Sequence, residues 1–160
     1  MRTRLLLLAA SACAVALAQT ASAQAQQPVH HTYTEVALGK GIPSKGAVQA
    51  SFHSYRSEDG TAVVQAREWY KSANDARSDL ETLAKKASRV VKQGAMKNEK
   101  GRIVGKRVEL IFSQGHKANP EMVIAWTDGA TVVRLSSTSL PLLLDFENQN
   151  YPSNSETTRK

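Results

Sequence analysis

The sequence predicts an α+β fold. This fold has an antiparallel sheet of about five strands, one long amphipathic helix (73–93) packed on one face, and a short C-terminal helix (140–150). Three patterns predict it: two Asp-Gly pairs between alternating apolar segments, one stretch with helical apolar spacing, and a leucine-rich segment that follows a row of hydroxyl side chains. Hairpins combined with a single long helix are typical of this class.

Two hairpins are predicted at Asp59-Gly60 and Asp128-Gly129. An Asp-Gly pair accepts the positive φ angles that a tight hairpin turn requires, and β-branched residues follow both pairs. The segments predicted as strands are, in chain order, 32–38, 47–57, 61–71, 102–113, 121–127 and 130–138.

The long helix is predicted from an apolar stripe with helical spacing. Ser72 and Asp75 offer a capping box at its start, and Gly94 could end it in the left-handed conformation. Glu81 and Lys85 are spaced for a favourable pair one turn apart. The stripe consists of Ala76, Leu80, Leu83, Ala84, Ala87, Val90 and Val91.

Four consecutive hydroxyl residues separate the last predicted strand from the C-terminal helix. A helix that begins near Leu140 needs a cap, which Ser139 or Thr138 can supply, and Pro141 suits the first helical turn. The other two hydroxyls, Ser136 and Ser137, fit the end of a strand. This structural interpretation is favoured over a nucleophilic one.

The alternative interpretation is a small extracytoplasmic hydrolase whose groups converge only in the fold. It requires His53 or His116 to meet Ser136, Ser137 or a carboxylate, because a serine nucleophile needs a base and an orienting acid. No G-x-S-x-G motif is present. The protein is therefore expected to be a non-catalytic module, although enzymatic activity stays an open alternative.

No metal site or cofactor is predicted. The four histidines lack the spacing and the neighbouring carboxylates or cysteines of a metal-ligand motif, and the segment 39–46 lacks the spacing of a phosphate-binding loop. The histidines are His30, His31, His53 and His116.

The N-terminus is predicted to be a signal peptide. Arg2 and Arg4 precede an apolar run over 5–17, and Ala21-Ser22-Ala23 matches the small-x-small cleavage pattern, so cleavage is expected before Gln24. The apolar run is shorter than the roughly 20 residues that span a bilayer. The protein is therefore expected in the periplasm or outside the cell.

Lipid anchoring at the only cysteine, Cys13, is disfavoured, because the residues around it match a lipoprotein cleavage box poorly. A chain that begins at Gln24 would have no thiol and hence no disulfide. The predicted organisation is a signal peptide (1–23), an N-terminal lead-in (24–47) with a first strand at 32–38, a single α+β domain (48–150) and a polar tail (151–160).

The distribution of charge is the main functional indication. Without Arg2 and Arg4, 19 basic residues stand against 14 acidic ones. Residues 85–107 contain nine basic residues and only Glu99 as an acid, so the rest of the chain after the leader is net acidic. The nine are Lys85, Lys86, Arg89, Lys92, Lys97, Lys100, Arg102, Lys106 and Arg107.

This run predicts a surface for anionic envelope components or other polyanions. On the predicted helix, Lys85, Arg89 and Lys92 would form one exposed stripe opposite the apolar arc. No aromatic residue lies within 85–107 and no groove-reading motif is present, so sequence-specific nucleic-acid binding is not expected. A merely solvated, solubilising charge run is the alternative, since cations near a helix C-terminus are favoured by its dipole.

Overall fold

The computed structural model describes residues 30–97, 100, 102–113 and 119–152 of the 160-residue chain. They form one antiparallel sheet of seven strands and two helices. The elements are β1 (Tyr33–Lys40), β2 (Ala47–Ser57), β3 (Ala62–Tyr70), α1 (Ala73–Lys86), β4 (Arg89–Lys97), β5 (Ile103–Phe112), β6 (Glu121–Asp128), β7 (Thr131–Ser137) and α2 (Leu140–Asn150).

The strand order is β1-β2-β3-β7-β6-β5-β4, and each neighbouring pair is antiparallel. Both predicted Asp-Gly hairpins are confirmed, since Gly60 and Gly129 adopt positive φ angles of 84° and 57°. The predicted count of about five strands is too low. Six of the seven strands correspond to segments predicted from their apolar patterns; the missed strand is β4, whose first five residues (89–93) lie in the stretch predicted as helix.

The two helices cover opposite faces of the sheet. Successive residues of β6 point to opposite sides, so Val123 packs in the core under α1 while Ile124 packs in the core under α2. Leu80 of α1 and Phe146 of α2 are each almost completely buried. The C-terminal helix α2 thus begins and ends at the predicted residues, 140 and 150. It packs against one face of β6 and β7.

The predicted helix over 73–93 is wrong in its second half. Ser72 caps α1 as predicted, since its Oγ accepts the backbone N–H of Asp75 at 3.2 Å. The helix ends at Lys86, however, because Ala87 adopts an extended conformation with ψ 143°. The next strand begins two residues later at Arg89, so Gly94 lies inside β4 and ends no helix.

The described part of the N-terminal lead-in, from His30 onward, belongs to the packed fold. Its strand, β1, pairs with β2, and Tyr33 packs edge-on against Phe146 with ring centroids 4.8 Å apart. Asp145 of α2 holds this segment by accepting hydrogen bonds from the His31 backbone N–H at 3.0 Å and from the Tyr33 hydroxyl at 2.8 Å. Segment 30–33 is therefore fixed to α2.

The chain also stays packed just past α2, at the start of the predicted polar tail. Tyr151 lies against Trp126 at a centroid distance of 4.8 Å, and its hydroxyl accepts a hydrogen bond from Arg67 at 3.0 Å. None of the helices in the described ranges is long and apolar enough to span a membrane. The predicted signal peptide with Cys13, residues 153–160 of the tail, and His116 lie outside the described residues.

We expect acid to release the contact between the N-terminal segment and α2. Burial by itself raises the pKa of Asp145, but the hydrogen bonds from His31, Tyr33 and Gln149 outweigh it and lower the pKa below its usual value. A lowered folded-state pKa stabilises the fold above the unfolded-state pKa of about 4, and this contribution is lost as the pH falls through the folded-state pKa. Asp145→Asn should therefore lower the free energy of unfolding by roughly 1–3 kcal/mol at neutral pH.

The measurement is urea unfolding of the wild type and of Asp145→Asn across the acidic pH range. The difference between them should begin to shrink as the pH falls below about 4, the unfolded-state pKa, and should be smallest once the native carboxyl with its lowered pKa is also protonated. Asp128→Asn, in the exposed β6–β7 turn, is the control and should show no such pH-dependent difference. A constant difference between the wild type and Asp145→Asn at all pH values would contradict the role given to the carboxylate.

Candidate anion-binding surface

The nine basic residues of the predicted surface lie on three neighbouring elements at one side of the sheet. They come from the last turn of α1, the edge strand β4 with its connection to β5, and the first half of β5. β4 pairs only with β5, so its other edge is unpaired within the described sheet. The predicted helical stripe of Lys85, Arg89 and Lys92 does not exist, because only the first of the three is on the helix.

Six of the nine residues are exposed, and we call this group the basic edge. Residues 89–95 of β4 are all exposed, as are the two lysines of α1 and the two cations of the β4–β5 connection. Nine residues of strand at about 3.3 Å per residue give this group a length of about 30 Å. The basic edge consists of Lys85, Lys86, Arg89, Lys92, Lys100 and Arg102; the side chain of Lys97 lies outside the described part of the structure.

The prediction that Arg107 belongs to the basic surface is wrong, because its side chain is buried. Its guanidinium lies between two carboxylates of the α2 face: Nη1 is 2.6 Å from Glu109 Oε1, and Nε is 2.8 Å from Glu147 Oε1. A second bond joins Nη2 to Glu147 Oε2 at 2.5 Å, so the pairing with Glu147 is bidentate. Burial alone would lower the pKa of Arg107, but the two carboxylates outweigh it and raise the pKa further. Its role is structural.

Lys106 is only half exposed, and it points toward α1. Its Nζ is 3.8 Å from Glu81 Oε1, so Glu81 pairs across to β5 instead of with Lys85 as predicted. Both side chains are partly in solvent, so the pair contributes little to stability. Lys106 therefore lies on the margin of the basic edge.

Three cations of the basic edge are available to a partner. Lys85, Lys86 and Arg89 form no ion pair with any residue that the structure describes. Exposed aliphatic side chains lie among the cations of the two strands: Val90 and Val91 on β4, and Ile103 and Val104 on β5. A long ridge with alternating cations and aliphatic groups can attract an anionic chain, but it offers no ring on which a base could stack.

The four consecutive hydroxyl residues between the end of β7 and the start of α2 have structural roles or line a shallow cleft. Ser139 caps α2 as predicted, since its Oγ accepts the backbone N–H of Leu142 at 3.4 Å. Ser137 Oγ donates to the carbonyl of Ala62 at 2.7 Å. Ser136, Ser137 and Thr138 also line a cleft of about 580 Å³ together with Asp59 and Glu121.

The described part of this cleft does not assemble a hydrolase site. Asp59 accepts hydrogen bonds from Ser57 Oγ and the Thr61 backbone N–H, which lower its pKa to about 2 and suit it poorly to proton transfer near neutral pH. His53 lies on β2, where its Nδ1 is 3.0 Å from Glu35 Oε2 and its ring stacks on Tyr55. No histidine lines the cleft among residues 30–97, 102–113 and 119–152.

One buried charge network links α1 to the sheet. Arg134 Nη2 on β7 is 2.8 Å from Glu68 Oε2 on β3 and 2.5 Å from Asp79 Oδ2 on α1. In the sequence, Glu68 is a carboxylate that precedes a tryptophan on a predicted strand. A lysine or arginine on a neighbouring strand is the partner expected for such a carboxylate. The contribution of Asp79 follows no sequence pattern, since it depends on how α1 lies over the sheet.

The residues that the structure describes contain no group of three or more histidine, cysteine, aspartate or glutamate side chains placed to hold a metal ion. The chain matches no protein-family model, no curated protein and no solved structure. Functional inference therefore depends on the geometry of the chain itself.

Proposed function

We propose that this protein is a non-catalytic, exported binding module that contacts extended anionic partners, such as anionic envelope components or other polyanions, through the basic edge. The single observation that carries the proposal is the alignment of six exposed cations over about 30 Å of edge strand and adjoining helix end. Leader cleavage before Gln24 is part of the proposal, and the N-terminal residue of the exported protein tests it.

The length of the basic edge favours a chain-like partner over a small anion. A single phosphate or carboxylate could reach only the cations at one end, whereas a linear polyanion could contact those of α1, of β4 and of the hairpin connection together. Each contact would release a counterion, so affinity should fall steeply with salt. Binding should also be insensitive to sequence, because the basic edge carries cations and aliphatic groups without aromatic ones.

The helix dipole explains only part of this charge. Lys85 and Lys86 occupy the last turn of α1, where cations are favoured. Arg89, Lys92, Lys100 and Arg102 lie beyond the helix, so the dipole offers no reason for their clustering. A solubilising role would require net charge but not its concentration along one edge.

Reversing three charges of the basic edge should abolish polyanion binding. The variant Lys85→Glu/Lys86→Glu/Arg89→Glu changes three side chains that have no ion-pair partner among the described residues, so the fold should be kept, with only a small loss of stability from the two anions placed at the end of α1. Retention on heparin at low salt should be lost. With a short DNA duplex as a linear polyanion, the slope of log affinity against log salt should become shallower by roughly 2–3, about 0.9 for each lost contact.

The matched control is Lys40→Glu/Lys45→Glu/Arg56→Glu, which reverses three exposed cations of β1, β2 and their connection and changes the net charge by the same amount. This control should keep most of its heparin retention. Equal losses in both variants would show that net charge alone drives binding, and unchanged retention of the first variant would exclude the basic edge as the binding surface.

A further inference from the structure

The β1–β2 connection presents an aliphatic side chain almost entirely to solvent. Ile42 is 95% exposed, the largest exposure of any large hydrophobic residue in the described part of the chain. Pro43 beside it is also exposed. Single exposed aliphatics are common, but this one has apolar neighbours: Val48 at the start of β2 is 57% exposed and Leu38 on β1 is 67% exposed.

The connection is held in place by hydrogen bonds at both ends. The Gly41 backbone N–H donates to the Ala50 carbonyl at 3.0 Å, and the Ala47 backbone N–H donates to the Ser44 carbonyl at 3.0 Å. Between them, the Ser44 backbone N–H donates to the buried carboxylate of Glu68 at 2.8 Å. The exposure of Ile42 is therefore a property of a fixed turn.

Lysines flank the apolar tip on both sides. Lys40 ends β1 and Lys45 follows Ser44, and neither forms an ion pair with any described residue. Lys45 also lines a cleft of about 660 Å³ with Lys71 and Lys86, which places further cations on the same side of the molecule. Two carboxylates also line this cleft: Asp79, which is paired with Arg134, and Asp75, which accepts a hydrogen bond from Ser72 Oγ at 2.8 Å.

We propose that the tip Ile42-Pro43 and its flanking lysines dock the protein onto an anionic lipid bilayer. A bilayer has an apolar interior beneath a layer of phosphate head groups, and the tip offers both matching groups: an almost fully exposed aliphatic side chain in the turn and exposed lysines two or three residues away on either side. A convex tip of two residues can enter a fluid interface without a preformed pocket in the partner. Apolar burial and attraction to anionic lipids together give this kind of peripheral binding.

This surface is distinct from the basic edge. The tip lies between β1 and β2, at the opposite end of the strand order from β4, and only Lys86 is shared between the basic edge and the cleft beside the tip. Experiments can therefore disprove polyanion binding by the basic edge and bilayer docking by the tip independently of each other. A bilayer contact made by the basic edge alone would depend on charge but not on Ile42.

The test is co-sedimentation of the purified protein with vesicles of phosphatidylcholine alone or mixed with phosphatidylglycerol. The wild type should bind the anionic vesicles and not the neutral ones. Ile42→Asp should weaken binding about ten- to a hundredfold, as expected when one large aliphatic side chain can no longer be buried. The matched control is Val36→Asp, which alters a 54% exposed valine of β1 outside the tip and the basic edge and should bind like the wild type.

Two further measurements separate the bilayer from other partners. Ile42→Asp should keep the heparin retention of the wild type. This result would show that the substitution weakens binding to lipid and not binding to polyanions in general. The tryptophan of Ile42→Trp should be quenched by lipids brominated in their acyl chains. Wild-type vesicle binding by Ile42→Asp, or loss of vesicle binding only in the charge-reversed basic edge, would overturn this inference. Equal binding to neutral and anionic vesicles, or no binding to either, would also overturn it.

Discussion

Replacing Arg107 with alanine should lower the free energy of unfolding by about 3–5 kcal/mol, because it leaves two carboxylates buried without their cation. Glu109 and Glu147 are 8% and 2% exposed in their side chains, and both form an ion pair with this guanidinium. The substitution should also disturb the packing of α2, since Glu147 lies one turn after Leu143, which is completely buried. The midpoint of urea unfolding is the direct measurement.

Two variants identify the cause of that loss. Lys106→Ala, one residue away and half exposed, should change the unfolding free energy by less than about 1 kcal/mol. Arg107→Met combined with Glu109→Gln and Glu147→Leu removes the charges together and should recover a large part of the stability, because uncharged groups no longer need a buried partner. Equal effects of Arg107→Ala and Lys106→Ala would contradict the structural role given to Arg107.

The second large effect is expected at Gly105. A Cβ atom built at this position would lie 2.1 Å from the carbonyl oxygen of Thr127 and 2.9 Å from its Oγ1. The clash is with backbone, which cannot rotate away as a side chain could, so β5 and β6 would have to separate locally. Gly105→Ala should therefore lower the free energy of unfolding by about 1–3 kcal/mol or more, measured by urea or thermal unfolding.

Gly94→Ala provides the matched control on the same hairpin. Gly94 lies on the edge strand β4, and a Cβ atom there would meet nothing within 4 Å. Alanine should be neutral or slightly stabilising at this position, because glycine in a strand loses more conformational entropy on folding. A destabilisation as large as that of Gly105→Ala would show that the close approach of β5 to Thr127 is not the cause.

The error in the predicted long helix has a clear physical origin. Ala87, Val90 and Val91 continue the apolar spacing of α1, so periodicity alone cannot separate helix from strand over so short a stretch. The two valines are β-branched and favour a strand, and Arg89–Lys97 gains the backbone hydrogen bonds of antiparallel pairing with β5 along one edge. Val90 and Val91 are 42% and 41% exposed, so they are not part of a core-facing stripe.

Six of the seven strands, both Asp-Gly turns and both helix N-caps were predictable because each depends on local chemistry. The burial of Arg107 depends on a partner 40 residues away in the chain. One signal could have indicated it: Glu147 follows Leu143 by one helical turn, so it lies on the apolar face of α2 and needs a buried cation.

The candidate surface was predictable in composition but not in shape. The concentration of cations in 85–107 is visible in the sequence, whereas their arrangement along an edge strand required the end of α1 to be known. The exposed tip at Ile42 was not predictable, because an Ile-Pro pair in a glycine-rich loop gives no indication of which way the side chain points. Tertiary hydrogen bonds to Ala50 and Glu68 fix that direction.

The most direct test of the central claim is an NMR titration of the protein with a heparin oligosaccharide at low salt. The basic edge as the binding surface predicts that the largest backbone amide shifts fall on the end of α1, on β4 and on the β4–β5 connection, and that they reverse when salt is added. Shifts confined to other elements, or no shifts in residues 85–102 at saturating heparin, would contradict the claim.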